Sequence, residues 1–296
     1  MASALEGSLP AKTRKDSPVR RLWANLAEGL LWLLLLTVAL IEIAPISWMF
    51  STSLRDPKRS FDLPPDFLPT AFHWQNYVNV INSPDIEFML FFWNSLKIAL
   101  LVTGAQLITC SMAGFAFGRL RFPGRDLLFG LFLASLMVPA TVTLIPTFIL
   151  VRDLGLMNTH WALILPGVTS AFGVFLLRQH FKSLPEEMID AAKIDGASYF
   201  RIYWQILLPQ TGPALSALGI FTFLGSWNNF LGPLLFLRDW SKFTFPIAIA
   251  TIRGYMGTGN QSEVLAGIMI SIFPILVIFL VAQRWIVQGA AITGMK

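Results

Sequence analysis

Long apolar runs that contain no Asp, Glu, Lys or Arg dominate this chain. Two of them, Leu154 to Leu177 and Ile202 to Leu237, flank a short charged segment. A helix needs about 20 consecutive apolar residues to cross the hydrocarbon core of a bilayer, so runs of this length predict membrane spans. A charged helical segment between two spans must lie at the membrane surface, where a soluble partner can reach it.

The hydrophobic pattern predicts an all-α, polytopic membrane protein with six transmembrane helices. The predicted spans cover residues 27–50, 94–117, 127–151, 161–181, 210–230 and 264–287. Six spans put both termini on the same side as the charged segment. That side carries fourteen Lys and Arg residues and the other side seven. Cytoplasmic loops are rich in Lys and Arg, so both termini and the charged segment are predicted to be cytoplasmic.

The remaining composition is consistent with one membrane domain. Residues 1–25 are polar and basic and predict a disordered cytoplasmic tail, and residues 26–296 form the transmembrane domain. A chain that is 55% hydrophobic and 13% charged is too apolar for a soluble domain of 296 residues. The net charge of +5 follows the positive-inside bias and does not indicate nucleic acid. A single cysteine, Cys110, excludes a disulfide framework and a cysteine metal cluster.

The charged loop, residues 182–209, carries strong local signals. Ser183 and Glu186 have the spacing of a capping box at a helix start. Gly196 permits the left-handed conformation that commonly ends a helix. Ser198 can cap a second short helix, which Pro209 should end.

One face of the first loop helix is predicted to meet a partner. Met188, Ala191 and Ala192 share a helical face, and the two alanines allow close backbone approach. Glu187 adds negative charge near the positive end of the helix. The alternative is an amphipathic helix on the lipid surface, but the mixed charge of the loop argues against binding to anionic lipid.

The loop resembles the EAA loop of ABC-importer permeases. That pattern is Glu-Ala-Ala, three residues, Gly, nine residues and Ile-x-Leu-Pro. Here Asp190-Ala191-Ala192 is followed after three residues by Gly196 and after nine more by Ile206-Leu207-Leu208-Pro209. The one departure is Asp190 for Glu, which keeps the charge on a shorter arm.

Other motifs along the chain are similar to the maltose-type, carbohydrate-uptake group of these permeases. They are Pro45, Trp48, Ser53-Leu54-Arg55, Asn94-Ser95-Leu96, Asn158-Thr159-His160, Trp227-Asn228-Asn229-Phe230, Gln283-Arg284-Trp285, Gly289 and Gly294. The resemblance runs from about Leu30 to Lys296. Asn229 departs from it, because many relatives carry an acidic residue there.

The resemblance implies a type I ABC-importer permease fold in a bacterial inner membrane. It implies a second, homologous permease subunit, two ATPase subunits and an extracytoplasmic solute-binding protein as partners. ATP and Mg²⁺ would bind to the ATPase subunits, with no cofactor on this chain. The loop would be the coupling helix that docks in a groove on the ATPase, through Glu186, Glu187, Met188, Asp190, Ala191, Ala192, Gly196 and Pro209.

Candidates for substrate contact lie near the outer end of the fifth span. The indole of Trp227 could stack on a sugar ring, and the amides of Asn228 and Asn229 suit hydroxyl groups. The alternative is a tryptophan at the membrane interface beside asparagines that bind helix ends.

The third and first spans contain further candidates. Pro139 and Pro146 interrupt the third span, so Thr143 could lie on a mobile, pathway-lining kink or could hydrogen-bond a static one. Glu42 is an acidic residue well inside the first span. It could serve as a proton relay or substrate contact, or simply as a packing residue.

The sequence contains no catalytic constellation and no phosphate-binding loop of the G-x-x-x-x-G-K-[ST] type. If ATP drives this protein, another chain must bind it. The alternative is a secondary, ion-coupled carrier, which would be expected to show paired intramembrane charges and internal repeats. The sequence does not identify the transported solute.

Overall fold

The computed structural model describes residues 18–60, 67, 68, 70, 72–83, 86–255 and 260–293. Over these residues the chain is all-α, with no strand. The helices are α1 (Pro18–Ser53), α2 (Gln75–Ile81), α3 (Phe88–Arg119), α4 (Arg125–Ala134), α5 (Ala140–Asp153), α6 (Trp161–Ile164), α7 (Ala171–Ser183), α8 (Glu187–Ile194), α9 (Tyr199–Arg201), α10 (Leu208–Gln210), α11 (Gly212–Trp227), α12 (Leu231–Phe236), α13 (Phe245–Tyr255) and α14 (Gln261–Thr293). A π-helix, Ile202–Leu207, joins α9 to α10, and 3-10 turns include Ser135–Met137 after α4 and Leu165–Gly167 after α6.

Among the described residues, four helices are long and apolar enough to cross a membrane. They are Asn25–Ser53, Phe88–Arg119, Trp161–Ser183 and Gln261–Gln283. Two bent pairs bring the number to six if each pair is one span. Arg125–Met137 and Ala140–Asp153 meet at 104°, and Tyr199–Gln210 and Gly212–Trp227 meet at 78°. Four of the six predicted spans therefore coincide with single helices, and the third coincides with a pair bent by 104°. The fifth, residues 210–230, coincides with α11, the second half of the other bent pair.

Of the two prolines predicted to interrupt the third span, only Pro139 does so, because Pro146 lies inside the continuous helix α5. Pro139 lies in the break between α4 and α5, as the sequence suggested. The loop helix ends at Gln210, so the prediction that Pro209 ends it holds to within one residue. The bend comes at Thr211, whose hydroxyl donates to the carbonyl of Leu207 at 2.7 Å.

The core is built on α3, which packs against α7 and α11. At Gly114 the two backbones of α3 and α7 approach closely, since an added Cβ would lie 2.9 Å from both the Arg178 backbone nitrogen and Leu177 Cβ. Leu177 and Phe181 of α7 and Leu218 of α11 are buried in the same cluster.

The first helix stands apart from this core. The apolar middle of α1 buries no residue within the chain. Glu42 is exposed on that surface, so it is not a packing residue of this chain's own core. The helix begins at Pro18, so the stretch 18–25 is helical rather than disordered as predicted. Residues 1–17 of the predicted tail, and Gly294, lie outside the described residues.

Polar residues from the permease-like motifs hold the loops at the end opposite residues 182–209. The Asn94 amide donates to the carbonyls of Ser241 at 2.9 Å and Phe243 at 3.0 Å. The side-chain oxygen Oδ1 of Asn158 accepts the backbone N–H groups of Arg238 and Asp239 at 3.0 Å each. Hydrogen bonds from Lys242 and Asn158 lower the pKa of Asp239. These residues therefore give the loop 237–244 a fixed shape.

We expect Gly114→Ala to weaken the contact between α3 and α7. The new methyl group has no room against the α7 backbone, and overpacking costs about 1–3 kcal/mol. The measurement is thermal stability of the purified protein in detergent. Gly104→Ala is the matched control on the same helix, because a Cβ there meets nothing within 4 Å. A Gly114→Ala protein as stable as the control would contradict the close contact.

Candidate functional site

The loop between α7 and α11 forms a compact helical unit at one end of the bundle. Gly196 has φ +75°, which confirms the predicted left-handed turn after α8. Ser198 caps the next helix as predicted, because its hydroxyl accepts the Arg201 backbone N–H at 3.3 Å. The following π-helix is tied to α3, since the hydroxyls of Tyr203 and Ser111 lie 2.7 Å apart in a buried contact.

The predicted capping box at the start of α8 is wrong. The helix α7 continues to Ser183, and the Ser183 hydroxyl donates to the His180 carbonyl at 2.8 Å within that helix. Glu186 makes no side-chain cap. Its carboxylate instead lies 3.5 Å from the guanidinium of Arg119. The Glu186 carboxylate therefore pairs with the buried guanidinium of Arg119 on α3, and not with a backbone N–H as the capping box requires.

The structure divides α8 into two faces, and the predicted docking face is partly wrong. Ala192 is only 7% exposed and, with Ile189, belongs to the core cluster of α3 and α7. A small residue is needed there for packing within this chain. The exposed face carries Glu187, Asp190, Ala191, Lys193 and Ile194, of which Ile194 is 87% exposed. Met188 lies between the two faces.

Two arginines, Arg119 and Arg178, join the ends of α3 and α7, and we call them the arginine clamp. Arg119 of α3 donates to the carbonyl of Phe181 at 2.8 Å and also to that of Leu184. Arg178 of α7 donates to the carbonyl of Phe117 on α3 at 3.2 Å. The clamp thus adds side-chain donors to carbonyls near the C-termini of both helices, where intrahelical N–H donors run out.

The clamp also reaches the neighbouring segments. The Arg178 guanidinium lies 3.9 Å from the ring centre of Phe129 on α4 and 3.8 Å from the Asp126 carboxylate. Arg119 reaches Glu186 at the start of α8. Sequence reasoning counted these arginines only as positive-inside charges. No pattern in the sequence shows that both are largely buried, at 6% and 11% side-chain exposure.

The predicted substrate residues do not form one site. Trp227 is 2% exposed and stacks against Phe223 and Phe245, so its faces are not available to a sugar. Asn229 accepts the Gly232 backbone N–H at 3.0 Å, as the alternative of an asparagine at a helix end predicted. Asn228 follows α11 and is exposed.

Thr143 does not reach this region. Its hydroxyl donates to the Ala140 carbonyl at 3.0 Å within α5. The Thr147 hydroxyl donates to the Thr143 carbonyl at 2.7 Å in the same way. Neither bond reaches the carbonyl of Val142, which Pro146 leaves without its usual donor, so both alternatives for this span remain predictions.

A cleft of about 370 Å³ lies between α3, α7 and α11 and includes Asn229 in its lining. Its other lining residues include Gln106, Ser170, Phe172, Phe221 and Ser226. Sequence reasoning missed Gln106, Phe172 and Phe221, because nothing in an apolar run marks which side chains face a shared cleft.

Residues 111–291 match the family model described as the binding-protein-dependent transport system inner membrane component. The chain belongs to this family. The predicted resemblance to ABC-importer permeases is thereby confirmed, and the chain is a multi-pass membrane protein.

Curated relatives match the permease over nearly their whole length. The arabinooligosaccharides transport system permease protein AraQ of Halalkalibacterium halodurans is 34% identical over 288 residues, which are 96% of this chain and 99% of the relative. The sn-glycerol-3-phosphate transport system permease protein UgpE of Yersinia pestis is 32% identical over 265 residues, 87% of this chain and 93% of the relative. The chain is therefore similar to permeases of differing substrates.

Solved structures match the fold of the permease. A chain of a bacterial ABC transporter involved in the import of the acidic polysaccharide alginate matches with a TM-score of 0.75 at 23% identity, covering 92% of this chain and 99% of that one. A chain of the alginate transporter in complex with alginate pentasaccharide-bound periplasmic protein matches with a TM-score of 0.60 at 14% identity, covering 89% and 96%. These matches confirm the predicted ABC-importer permease fold.

We expect Arg119→Ala to loosen the loop of the permease. The change removes a donor from the carbonyls of Phe181 and Leu184, of which Phe181 keeps the Leu184 backbone N–H at 3.4 Å. A buried acceptor left without a donor costs about 1–3 kcal/mol. The measurement is the rate of trypsin cleavage after Lys193 and Arg201, both in the loop, which should rise.

Two matched variants separate the clamp from general charge effects. Arg121→Ala removes an exposed arginine two residues away, and Glu186→Gln removes an ion pair whose carboxylate is 82% exposed. Exposed pairs contribute about 0–1 kcal/mol, so both should cleave like the unaltered protein. Equal cleavage of all three variants would show that Arg119 does not hold the loop.

Proposed function

We propose that this chain is the membrane-spanning subunit of an ATP-driven importer for a sugar or oligosaccharide. The observation that carries the proposal is the loop 182–209, whose α8 presents an exposed face while its other face packs on α3 and α7. A helix held in this way can receive force at the surface and pass it to the spans. The relatives named for arabinooligosaccharides and sn-glycerol-3-phosphate support a polyhydroxylated solute.

The proposal includes a set of partners. A second homologous permease would complete the pathway, and two ATPase subunits would dock on the cytoplasmic loops and bind ATP and Mg²⁺. An extracytoplasmic solute-binding protein would deliver the solute to the opposite end of the bundle. The chain would lie in a bacterial inner membrane with both termini in the cytoplasm, and would itself hold no cofactor and catalyse no reaction.

Coupling would proceed by movement of the spans as packed units. Closure of the ATPase subunits would push on α8, and the spans would rock from an inward-open to an outward-open arrangement. The loaded binding protein would release its solute at that stage. ATP and the loaded binding protein must each bind the outward-open state more tightly, because a ligand shifts an equilibrium only by its differential affinity.

Reconstitution tests this function directly. The chain would be co-expressed with the second permease, the ATPase and the binding protein encoded beside it, and the purified complex placed in lipid vesicles. Arabinotriose, an alginate oligosaccharide and sn-glycerol 3-phosphate serve as the trial solutes. We expect ATP hydrolysis to rise only when the binding protein carries the accepted solute. Uptake driven by an ion gradient without ATPase subunits would overturn the proposal in favour of a secondary carrier.

Ile194 is the residue that we expect to anchor the loop on the ATPase. It is an apolar side chain at the end of α8 and is 87% exposed in this chain. Replacing a central interface anchor costs about 2 kcal/mol or more, so Ile194→Asp should lower ATPase retention on purification at least tenfold. Co-purification and solute-stimulated hydrolysis are the measurements.

Ile194→Val keeps the apolar contact and is the matched control. Ala192→Trp is unsuitable for the same purpose, because Ala192 packs inside this chain and a large residue there would disturb the loop itself. Full ATPase retention by Ile194→Asp would show that this face of α8 does not dock.

A further inference from the structure

A shallow trough of about 330 Å³ opens between α3 and α6, at the end of the bundle opposite the loop 182–209. Its lining combines two lysines with aromatic and aliphatic side chains and includes Lys97, Leu101, His160, Trp161, Ile164 and Lys242. Within the described part of the chain, no residue of this lining also lines the cleft between α3, α7 and α11. The trough is therefore a separate feature on a different side of α3.

The trough lies on a stripe of α3 that this chain leaves uncovered. Residues at three- or four-residue spacing share one face of a helix, and here that face carries Trp93, Lys97, Leu101, Gly104 and Ile108. Its large apolar side chains are about half exposed, from 48% at Leu101 to 58% at Trp93 and Ile108. A Cβ added at Gly104 would meet nothing within 4 Å. In a membrane span, such a stripe faces lipid or another membrane helix.

Lys97 is the one charged residue of this stripe. It is exposed, and no acidic side chain among the described residues pairs with it. It lies nine residues, or about 13.5 Å, after the start of α3 and one turn below Trp93. A lysine at such a depth is costly unless its long side chain carries the ammonium group to polar groups at the membrane surface.

Two tryptophans mark the level of that surface. Trp161 is 54% exposed and begins the span Trp161–Ser183, whereas Trp93 stands near the same end of α3. Tryptophan is enriched where a membrane meets water, so two of them on different spans place the lipid headgroups at the mouth of the trough. Leu101 and Ile164 lie further along their helices. The trough therefore runs from the headgroup level into the layer of the acyl chains.

Lys242 brings a second ammonium group to the mouth of the trough. It donates to the carboxylate of Asp239 at 2.9 Å, and its backbone carbonyl lies 3.0 Å from Nε2 of His160. Burial lowers the pKa of His160, and the charges of Lys97 and Lys242 lower it further against the opposing effect of that backbone hydrogen bond. The imidazole is therefore neutral at pH 7. The lining contributes two positive charges, of which Asp239, outside the lining, offsets one.

We propose that the trough binds an anionic phospholipid, whose phosphate lies between the ammonium groups of Lys97 and Lys242 and one of whose acyl chains follows Leu101 and Ile108 along α3. Lysine binds phosphate as a point charge with three donors, so the headgroup supplies the counter-ion for Lys97. The acyl chain covers apolar surface that this chain leaves open. The inference requires only that the chain spans a bilayer, and it is independent of the transported solute.

Two other occupants fit the trough less well. A free phosphate ion would satisfy the two lysines but would leave Leu101, Trp161 and Ile164 uncovered. A helix of the second permease would cover the apolar side chains but would bury the Lys97 ammonium group, which is costly unless that helix also supplies a carboxylate. A phospholipid is the occupant that matches both halves of the lining.

Native mass spectrometry of the purified complex tests the headgroup preference. The delipidated complex is titrated with phosphatidylglycerol or with phosphatidylethanolamine that has the same acyl chains. We expect phosphatidylglycerol to bind at least fivefold more tightly, Lys97→Gln to lower this ratio at least threefold, and Lys97→Arg to keep it. Arg238→Gln is the matched control, because it removes an exposed cation of the loop 237–244 outside the trough. An equal loss in Arg238→Gln would overturn the site by showing a general charge effect.

Competition separates the lipid from soluble phosphate. Inorganic phosphate in large excess should leave the bound phosphatidylglycerol in place, because it cannot replace the contacts of the acyl chain. Displacement of the lipid by inorganic phosphate alone would overturn the proposal and assign the lysines to a soluble anion. The same would follow if phosphatidylglycerol and phosphatidylethanolamine bound the unaltered complex equally well.

Photo-crosslinking in vesicles of the same two lipids identifies what covers the trough in the assembled complex. A photoreactive benzoylphenylalanine in place of Leu101 should crosslink to phosphatidylglycerol beyond its share of the vesicle, and Lys97→Gln should abolish that enrichment. The same group in place of Phe273, an exposed residue of α14, should give products that Lys97→Gln does not change. A crosslink from position 101 to the second permease would overturn the site.

The crosslinking result also stands without the lysine variant. If Lys97→Gln fails to assemble, the enrichment of phosphatidylglycerol at position 101 in the otherwise unaltered complex decides the question alone. Absence of enrichment there would overturn the proposal. Neither experiment uses a solute or ATP, so failure of the lipid site and failure of the proposed import function are distinguished.

Discussion

The close approach of α3 and α7 is the contact on which the rest of this permease depends. Gly114 lets the two backbones meet, and the arginine clamp closes the same pair of helices about one turn further along. In lipid, apolar side chains gain little by leaving their surroundings, so close packing and buried hydrogen bonds must hold helices together. The glycine supplies the packing and the two guanidinium groups supply the hydrogen bonds. The loop 182–209 and the cleft both rest on this pair.

A second constraint is that no backbone group may be left without a partner at membrane depth. The chain breaks its helices at residues 138–139, at 168–170 and at Thr211, and two of these breaks show how the carbonyls are satisfied. Gln106 and Thr109 of α3 donate to carbonyls at the second break, and Thr211 donates to the Leu207 carbonyl at the third. The polar residues inside apolar spans therefore have a structural reason to be there before any functional one.

The fold class and the family could be predicted from the sequence because both rest on local signals. The lengths of charge-free runs indicate spans, and the spacing from Asp190 through Gly196 to Pro209 is preserved as a pattern of residues. The functional site was harder to predict, because the role of a side chain depends on whether its helix face points to the core or to the surface. Trp227 has the chemistry to bind a sugar but lies inside an aromatic cluster. Ala192 is small for packing within the chain, and only the structure shows that Ile194 is a large apolar side chain left exposed on α8.

Helix α3 holds both the loop and the cleft in place, so a movement of one can affect the other. Arg119 ties α3 to the carbonyls before α8, and Ser111 ties α3 to the π-helix after it. Both halves of the loop are thus fastened to one helix. The cleft uses the same helix about 20 Å away, where Gln106 holds the break before α7. A force that displaces the loop under the proposed mechanism must therefore tilt α3, and the cleft cannot keep its shape unless α7 and α11 tilt with it. At the cleft α11 is itself held to α3, because the Thr222 hydroxyl donates to the Gln106 side-chain oxygen at 2.9 Å. Because α7 is also held to α3, at Gly114 and the clamp, the cleft changes shape only if one of these contacts gives way.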